Sequence, residues 1–443
     1  MVEEVCMGKQ NNCKRGGHFY THCVQITLAF FVGSRFLSIF AALMKKLFLH
    51  NITLVLLSLI SIATNAQPLT YSDSVEISLL TCSPGQASWA QFGHTALRYN
   101  DMQNGNDIAI NYGVFDSNQP NFSLRFIFGL TDYRVATLPM ELFLAQYDYE
   151  GRGVTEQVLN LTKEEKYKIY KALTHNLRPE NVVYRYNFFY DNCTTRAYHI
   201  IANNVKLAPS FAWSDKQDPL PTYREMIHQW NKDYPWTRFG EDLLLGKGAD
   251  APVETKEQTL FLPDNLRKHF ALATHNNAAL VKETRTLISP QPIVDEGGFP
   301  LSPLAVSVVV AVVMAAIMAV EIKLCRLFWQ WELALMLLTG TMGLLFLAMV
   351  FSKHPCVDKN AMLFFFNPLS LVFAYRAVKR TRKMESDWWW IVYEISLFSG
   401  FIITFTQHLP IPMYIVALFL LINVYVHRYV IRKAKANKSN YIK

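Results

Sequence analysis

The chain has 443 residues, 51% of them hydrophobic, with a mean hydropathy of +0.11. That is too apolar for an ordinary soluble globule, while 18% charged residues are too many for a protein lying wholly in lipid. The net charge of +8 is uneven: residues 67–300 hold 22 Lys/Arg against 27 Asp/Glu, so the basic excess lies elsewhere and gives no support to a nucleic-acid partner. Seven cysteines, only Cys82 and Cys193 of them within 67–300, exclude a disulfide scaffold.

In chain order, the first signal is an export pattern that starts internally. Met44-Lys45-Lys46 precedes an apolar stretch from Ile52 to Ala63 and then Thr64-Asn65-Ala66, which predicts a signal peptide over 44–66 cleaved after Ala66. Residues 1–43 read as a start-site extension. Their Cys13, His18, His22 and Cys23 match no tetrahedral zinc spacing. Beyond Gln67 the pattern is mixed α/β: strands over Val75–Thr81, Thr95–Tyr99 and Ile108–Tyr112, with a hairpin-type turn at Gly105 between Asn104 and Asn106. Thr162-Lys163-Glu164-Glu165 is a capping box that opens a helix to about Leu173, with apolar positions at Ile169, Tyr170 and Leu173. Tyr184–Phe189 has strand composition. Asp191-Asn192 then offers a cap, placing Cys193 in the first turn of a helix that continues through Ala197, Ile200 and Ile201.

A thiol at a helix start is favoured as thiolate, the nucleophilic form, by the partial positive charge there. His94, at the start of a strand, is the candidate base or imidazolium partner, and backbone N–H groups of the Cys193 helix are candidate oxyanion donors, with Asn192 and Arg196 as supports for substrate or oxyanion. A third residue should orient His94: Asn111 is the first choice and Asp116 the second. No P-loop, dinucleotide fingerprint, His-Glu-x-x-His motif or repeat of fixed period occurs, so neither a metal nor any other cofactor is expected.

From about Pro303 five apolar runs follow, at 303–322, 329–351, 361–378, 388–406 and 411–427, each read as a transmembrane helix. With residues 67–302 outside, 13 Lys/Arg fall inside against two outside, Lys353 and Lys359, in keeping with the positive-inside rule. The C-terminal 429–443 becomes a basic cytoplasmic tail. Trp329, Trp331 and Trp388–Trp390 are expected in the headgroup layer, and Asn360 and Asn367-Pro368 to break or pack the third span. Glu394 within the fourth run is either functional or held protonated in a helix contact, and Cys356 with His354 on an outside loop is a lesser candidate thiol site.

Phe92-Gly93-His94-Thr95-Ala96-Leu97-Arg98, Asn111-Tyr112-Gly113-Val114-Phe115-Asp116 and Tyr186-Asn187-Phe188-Phe189-Tyr190-Asp191-Asn192-Cys193-Thr194-Thr195-Arg196 resemble the periplasmic domain of the Lnb-type lipoprotein N-acyltransferases. The resemblance continues through Thr222-Tyr223-Arg224-Glu225, Pro235-Trp236 and Phe261-Leu262-Pro263 into the helical bundle. The order of histidine before a helix-start cysteine is also similar to permuted papain-like folds of the NlpC type. The resemblance implies an α+β fold, a permuted papain-like periplasmic domain over 67–300 followed by an all-α transmembrane bundle over 303–428, in the bacterial inner membrane. It further implies a phospholipid acyl donor, a thioester on Cys193 and the N-terminal amine of a diacylglyceryl-cysteine lipoprotein as acceptor. Two other readings use the same residues. One is a membrane-tethered cysteine peptidase or amidase acting on peptidoglycan; the other is a non-enzymatic envelope assembly protein in which Cys82 and Cys193 are bridged.

Overall fold

Alternation of apolar side chains after residue 74 builds a seven-stranded antiparallel sheet from β1 (Val75–Cys82), β2 (His94–Asp101), β3 (Asn106–Val114), β4 (Asp132–Pro139), β5 (Val154–Leu159), β6 (Val183–Arg185) and β9 (Val281–Ile288), in the order β6-β4-β3-β2-β1-β5-β9. A short hairpin, β7 (Thr274–His275) with β8 (Ala278–Ala279), stands apart. The computed structural model describes residues 74–213, 220–292 and 299–441. The expected upstream extension and export signal lie outside these. Between the strands run α1 (Phe122–Ile127), α2 (Met140–Tyr149), α3 (Lys163–Asn176), α4 (Cys193–Ala202), α5 (Tyr223–His228), α6 (Pro235–Leu244) and α7 (Pro263–Leu272).

The two faces of the sheet bury different sets of residues. Ile77, Leu79, Leu97, Tyr99, Ile110 and Tyr112 pack with Ile169 and Leu173 of α3 and with Ala197 and Ile201 of α4. Leu80, Cys82, Ala96 and Ala109 pack under Phe143 and Tyr147 of α2. Each fully buried aliphatic side chain contributes roughly 1.5–3 kcal/mol. Helix starts follow local chemistry. Thr162 accepts from the Glu165 N–H while Glu165 reaches back to the Thr162 N–H, and the β2–β3 turn carries Gly105 at φ 65°. The expected strand over 184–189 stops early, at Arg185, because Asn187 Oδ1 accepts from the N–H of Phe189 and Tyr190 and bends the chain toward α4.

After Ser302, whose hydroxyl caps the Ala305 N–H, come α8 (Pro303–Leu324), α9 (Trp329–Val350), α10 (Met362–Phe365), α11 (Leu369–Arg382), α12 (Trp389–Ile403) and α13 (Ile411–Tyr441). Among the described residues α8, α9 and α13 are long and apolar enough to cross a membrane, whereas α12 has 15 residues. The third expected span is two helices, interrupted at Phe366-Asn367-Pro368. In an apolar environment its freed carbonyls need donors: the Tyr393 hydroxyl donates to Phe365 O and Ser396 to Phe364 O, both at 2.8 Å. Gly343 of α9 lets the break approach, since a Cβ there would lie 2.5 Å from Pro368 N.

Two expectations for the bundle change. Trp389 and Trp390 are buried in its core with Tyr393 and Leu397, and only Trp388 of that run is exposed. Tight helix contacts outweigh the headgroup preference there. Glu394 is paired with Arg428, so its charge is compensated. The sequence reading also missed a buried polar cluster in which Glu332 accepts from His427 at 2.9 Å and from Asn423 at 3.3 Å, with Trp331 donating to Asn423.

The bundle and the sheet domain are joined by more than their linker. In the loop between α9 and α10 the Lys353 N–H donates to Phe128 O at 2.9 Å, while Cys356 O and Lys359 O accept from Gly246 and Lys247 at 2.7 and 2.8 Å. Asn360 donates to Leu243 O and Leu244 O, and Gln407 to Leu245 O. On the other side Arg224, fully buried, bonds Asp242, Asp250 and Leu245 O and so holds the segment that receives the loop.

Candidate active site

The thiol stands where α4 begins. Asn192 is a complete cap: its Oδ1 accepts from Thr194 and Thr195 N–H, and its Nδ2 donates to Phe188 O and Phe261 O, both at 2.9 Å. That uses every donor and acceptor of the amide. Asn192 therefore fixes the Cys193 turn and has no N–H left for an oxyanion, a revision of the role expected for it. The same bonds occupy the N–H groups of Thr194 and Thr195, which narrows the helix-start oxyanion donors to the N–H of Cys193 itself. That N–H donates to the Tyr186 oxygen, a bond that an oxyanion would displace, and the Tyr186 hydroxyl in turn lies 4.0 Å from Cys193 Sγ. Burial pushes the Tyr186 phenol well up, so it remains a protonated donor.

His94 is presented by β2, immediately after Gly93. Gly93 has φ 79°, and a Cβ there would lie 2.6 Å from Cys82 O, so a side chain at this position is excluded twice over. His94 Nε2 is 3.1 Å from Asn111 Oδ1 on β3, which leaves Nδ1 for the thiol, and His94 hydrogen-bonds Cys193. Asp116 is exposed and accepts from the Asn118 N–H, so of the two candidates Asn111 is the one beside the ring. Gly113, at φ 85°, brings β3 against the site: a Cβ there would be 3.0 Å from the Tyr186 ring.

Electrostatics tie these groups together. Burial pushes the Cys193 thiol up, but the charge and hydrogen bond of His94, the Thr95 N–H and the Thr194 hydroxyl outweigh it and bring the group down to about 7. For His94 burial works downward and the facing Cys193 sulfur upward, with a net rise above the ordinary imidazole value. Both shifts run in the direction that favours a thiolate facing an imidazolium. Thr95 and Thr194, whose hydroxyls are 3.0 Å apart, lie within the motifs of the resemblance, but the sequence assigns them no role. Tyr186 stands in the strand-like run and opens the third motif of the resemblance without a role of its own, since a buried phenol and a catalytic one look alike in a run of aromatics.

The remaining candidates have other partners. Arg196 is held by Asp191 through two bonds of 2.6 and 2.7 Å and lies over the Tyr184 ring. Cys82 and Cys193 are both free thiols, which removes the expected bridge of the assembly-protein reading. Burial pushes the Cys82 thiol up to about 12, making it inert beside Tyr147. Cys356 lies 3.5 Å from the Tyr190 hydroxyl and burial pushes its thiol up as well; His354 Nε2 bonds Phe126 O rather than Cys356. That second pair is a docking contact.

Comparison with known families gives two matches. Residues 67–229 match the Lnb N-terminal periplasmic domain and residues 295–435 the Lnb transmembrane domain, together about two thirds of the chain. No curated protein and no solved structure matches it. With both family domains present in this order, and a sheet domain hydrogen-bonded to a bundle of apolar helices, the chain belongs to the Lnb family of membrane-bound lipoprotein-processing enzymes, an inner-membrane protein whose N-terminal domain is periplasmic.

Proposed function

We propose that this protein is a cysteine-dependent lipoprotein N-acyltransferase that moves a fatty acyl chain from a phospholipid to the N-terminal amine of a diacylglyceryl-cysteine lipoprotein. The observation that carries it is the Cys193–His94–Asn111 arrangement, with the thiol brought down to about 7, in a domain bonded to membrane helices. In the first half-reaction the Cys193 thiolate attacks the ester carbonyl and the oxyanion accepts from Cys193 N–H and Tyr186 hydroxyl. The C–O bond then breaks, His94 gives its proton to the departing lysolipid alkoxide, and a thioester remains. In the second, the acceptor's neutral amine attacks the thioester and passes its proton to His94. The C–S bond breaks, an amide is released, and the thiolate–imidazolium pair is restored. Asn111 keeps Nδ1 aimed at sulfur; Asn192 and Arg196 act as positioning residues for the turn that bears the thiol. The same proposal includes export directed by residues 44–66 and a cytoplasmic tail from 429.

A peptidase or amidase acting on peptidoglycan would use the same thiol with water as acceptor, but it has no need of a site bonded to the end of a membrane helix. The test is mass spectrometry of lipoprotein N-termini from cells carrying only Cys193→Ala in place of this protein. The expected result is diacylated termini, with the variant exported and inserted. Triacylated termini in that strain, with no redundant enzyme present, overturn the proposal.

A further inference from the structure

Aromatic rings beside the thiol make a closed circuit of contacts. Tyr186 stacks on Tyr133 with ring centres 4.4 Å apart, and Tyr133 meets Phe115 at 5.3 Å. Phe115 stacks on Phe122 at 5.9 Å and Phe122 on Phe126 at 6.1 Å. Phe126 meets Phe188 at 6.1 Å, and Phe188 returns to Tyr186 at 5.8 Å. His354, from the loop after α9, packs on Phe188 and Phe126 at 4.9 and 5.1 Å.

The outer edge of this circuit is open. No residue of α1 is buried; Leu124 is 57% exposed, Leu130 41%, and Phe126 and Phe188 37% each. Single exposed apolar groups are ordinary, but a contiguous set beside a reactive thiol points to an apolar partner. The height of the set identifies that partner. The 22 residues of α9 extend about 33 Å, enough for the roughly 30 Å hydrocarbon layer, so its end at Val350 reaches the headgroups. Three residues later Lys353 is hydrogen-bonded to Phe128 O, and Gly129 packs against it so closely that a Cβ would meet Lys353 C at 2.9 Å. The end of α1 is thereby held at the membrane surface.

We infer that α1 and the open edge of the aromatic circuit form a lipid platform, in which Leu124, Phe126 and Leu130 enter the outer face of the bilayer and a phospholipid acyl chain lies against Phe126 and Phe188. The chain leads past Tyr186 to Cys193. Only the delivery of an ester to Cys193 rests on the acyl-transfer reading; the lipid contact does not.

The test uses the full-length protein in vesicles of phosphatidylethanolamine and phosphatidylglycerol containing a phospholipid with a photoactivatable diazirine on its acyl chain. After irradiation, cross-linked peptides are mapped by mass spectrometry. Cross-links are expected on residues 122–130 and 186–188 as well as on α8 and α9. In Leu124→Asp/Leu130→Asp the former should fall at least about tenfold, because two apolar anchors are replaced by carboxylates, while those on α8 and α9 persist and report insertion. Wild-type cross-links confined to the membrane helices overturn the platform, as they would if a protein partner covered it. Hydroxylamine-labile acyl mass on Cys193 is scored in the same sample. A thioester without platform cross-links sinks this inference alone, and platform cross-links without a thioester support the platform while sinking the transfer reading.

Discussion

Replacing His94 by glutamine removes the charge and the hydrogen bond that do most to oppose burial at Cys193, leaving only the Thr95 N–H and the Thr194 hydroxyl against it. With the thiol at about 7, half of it is thiolate at pH 7; in His94→Gln it returns to at least its ordinary 9.0, where about 1% is thiolate. That is a loss of about 50-fold in reactive form. A more basic thiolate is intrinsically the better nucleophile, and a Brønsted slope of about 0.45 over two units returns about 8-fold. The net expectation is alkylation by iodoacetamide about 6-fold slower at pH 7, with the order reversed by about 7-fold at pH 10. In wild type the reactive form is present above about 7 and is lost on acidification below it; in the variant that loss occurs two or more units higher. The assay is the rate of label incorporation into the Cys193 peptide, followed by mass spectrometry so that Cys82, Cys325 and Cys356 do not contribute. Equal midpoints in the two proteins would refute the ion pair.

Other substitutions separate the remaining roles. Tyr186→Phe deletes one oxyanion donor and should slow acyl transfer by about 100-fold or more while leaving the pH midpoint of Cys193 labelling near 7, as read by the same two assays. Asn111→Ala frees the His94 ring: transfer should fall about 100-fold through misplacement, and the labelling midpoint should rise by less than in His94→Gln, since the imidazole is still present. Arg224→Met takes the guanidinium from Asp242 and Asp250, leaving Asp242 with His228 and Asp250 with the His408 N–H, and should cost roughly 3 kcal/mol, seen as a lower thermal midpoint of the detergent-purified protein; an unchanged midpoint would show that the network is dispensable.

Local signals carried the sequence reading a long way. The capping box at Thr162, the turn at Gly105 and the cap before Cys193 each depend on a few adjacent residues, so they were visible without tertiary information. The Asn111 contact followed from two strands read correctly, because β2 and β3 pair with Ala96 opposite Asn111. What escaped depends on distant partners. β9 is recognisable only through its pairing with β5 more than a hundred residues earlier, and its mostly exposed side chains lack a clear alternation. Asn192 is legible as a cap, but that its support of the site goes no further than the turn is not, because sequence does not reveal that Phe188 O and Phe261 O take both of its protons. The Trp389-Trp390 pair looked interfacial because hydropathy cannot distinguish a tryptophan at the headgroups from one packed beneath a broken helix.

The bonds between the α9–α10 loop and the sheet domain decide what preparation is worth assaying. A fragment ending near residue 300 would leave the N–H groups of Gly246 and Lys247 without their acceptors, expose Phe189 and Val253 where Met349 and Val357 pack, and free Phe126 and Phe188 from His354. Each lost contact lies on a segment that abuts the thiol turn or its aromatic neighbours. Solubilised whole, with its lipid anchor helices, the protein keeps that scaffold; trimmed for convenience, it presents a nucleophile whose supporting wall has been removed, and silence from such a fragment says nothing about the enzyme.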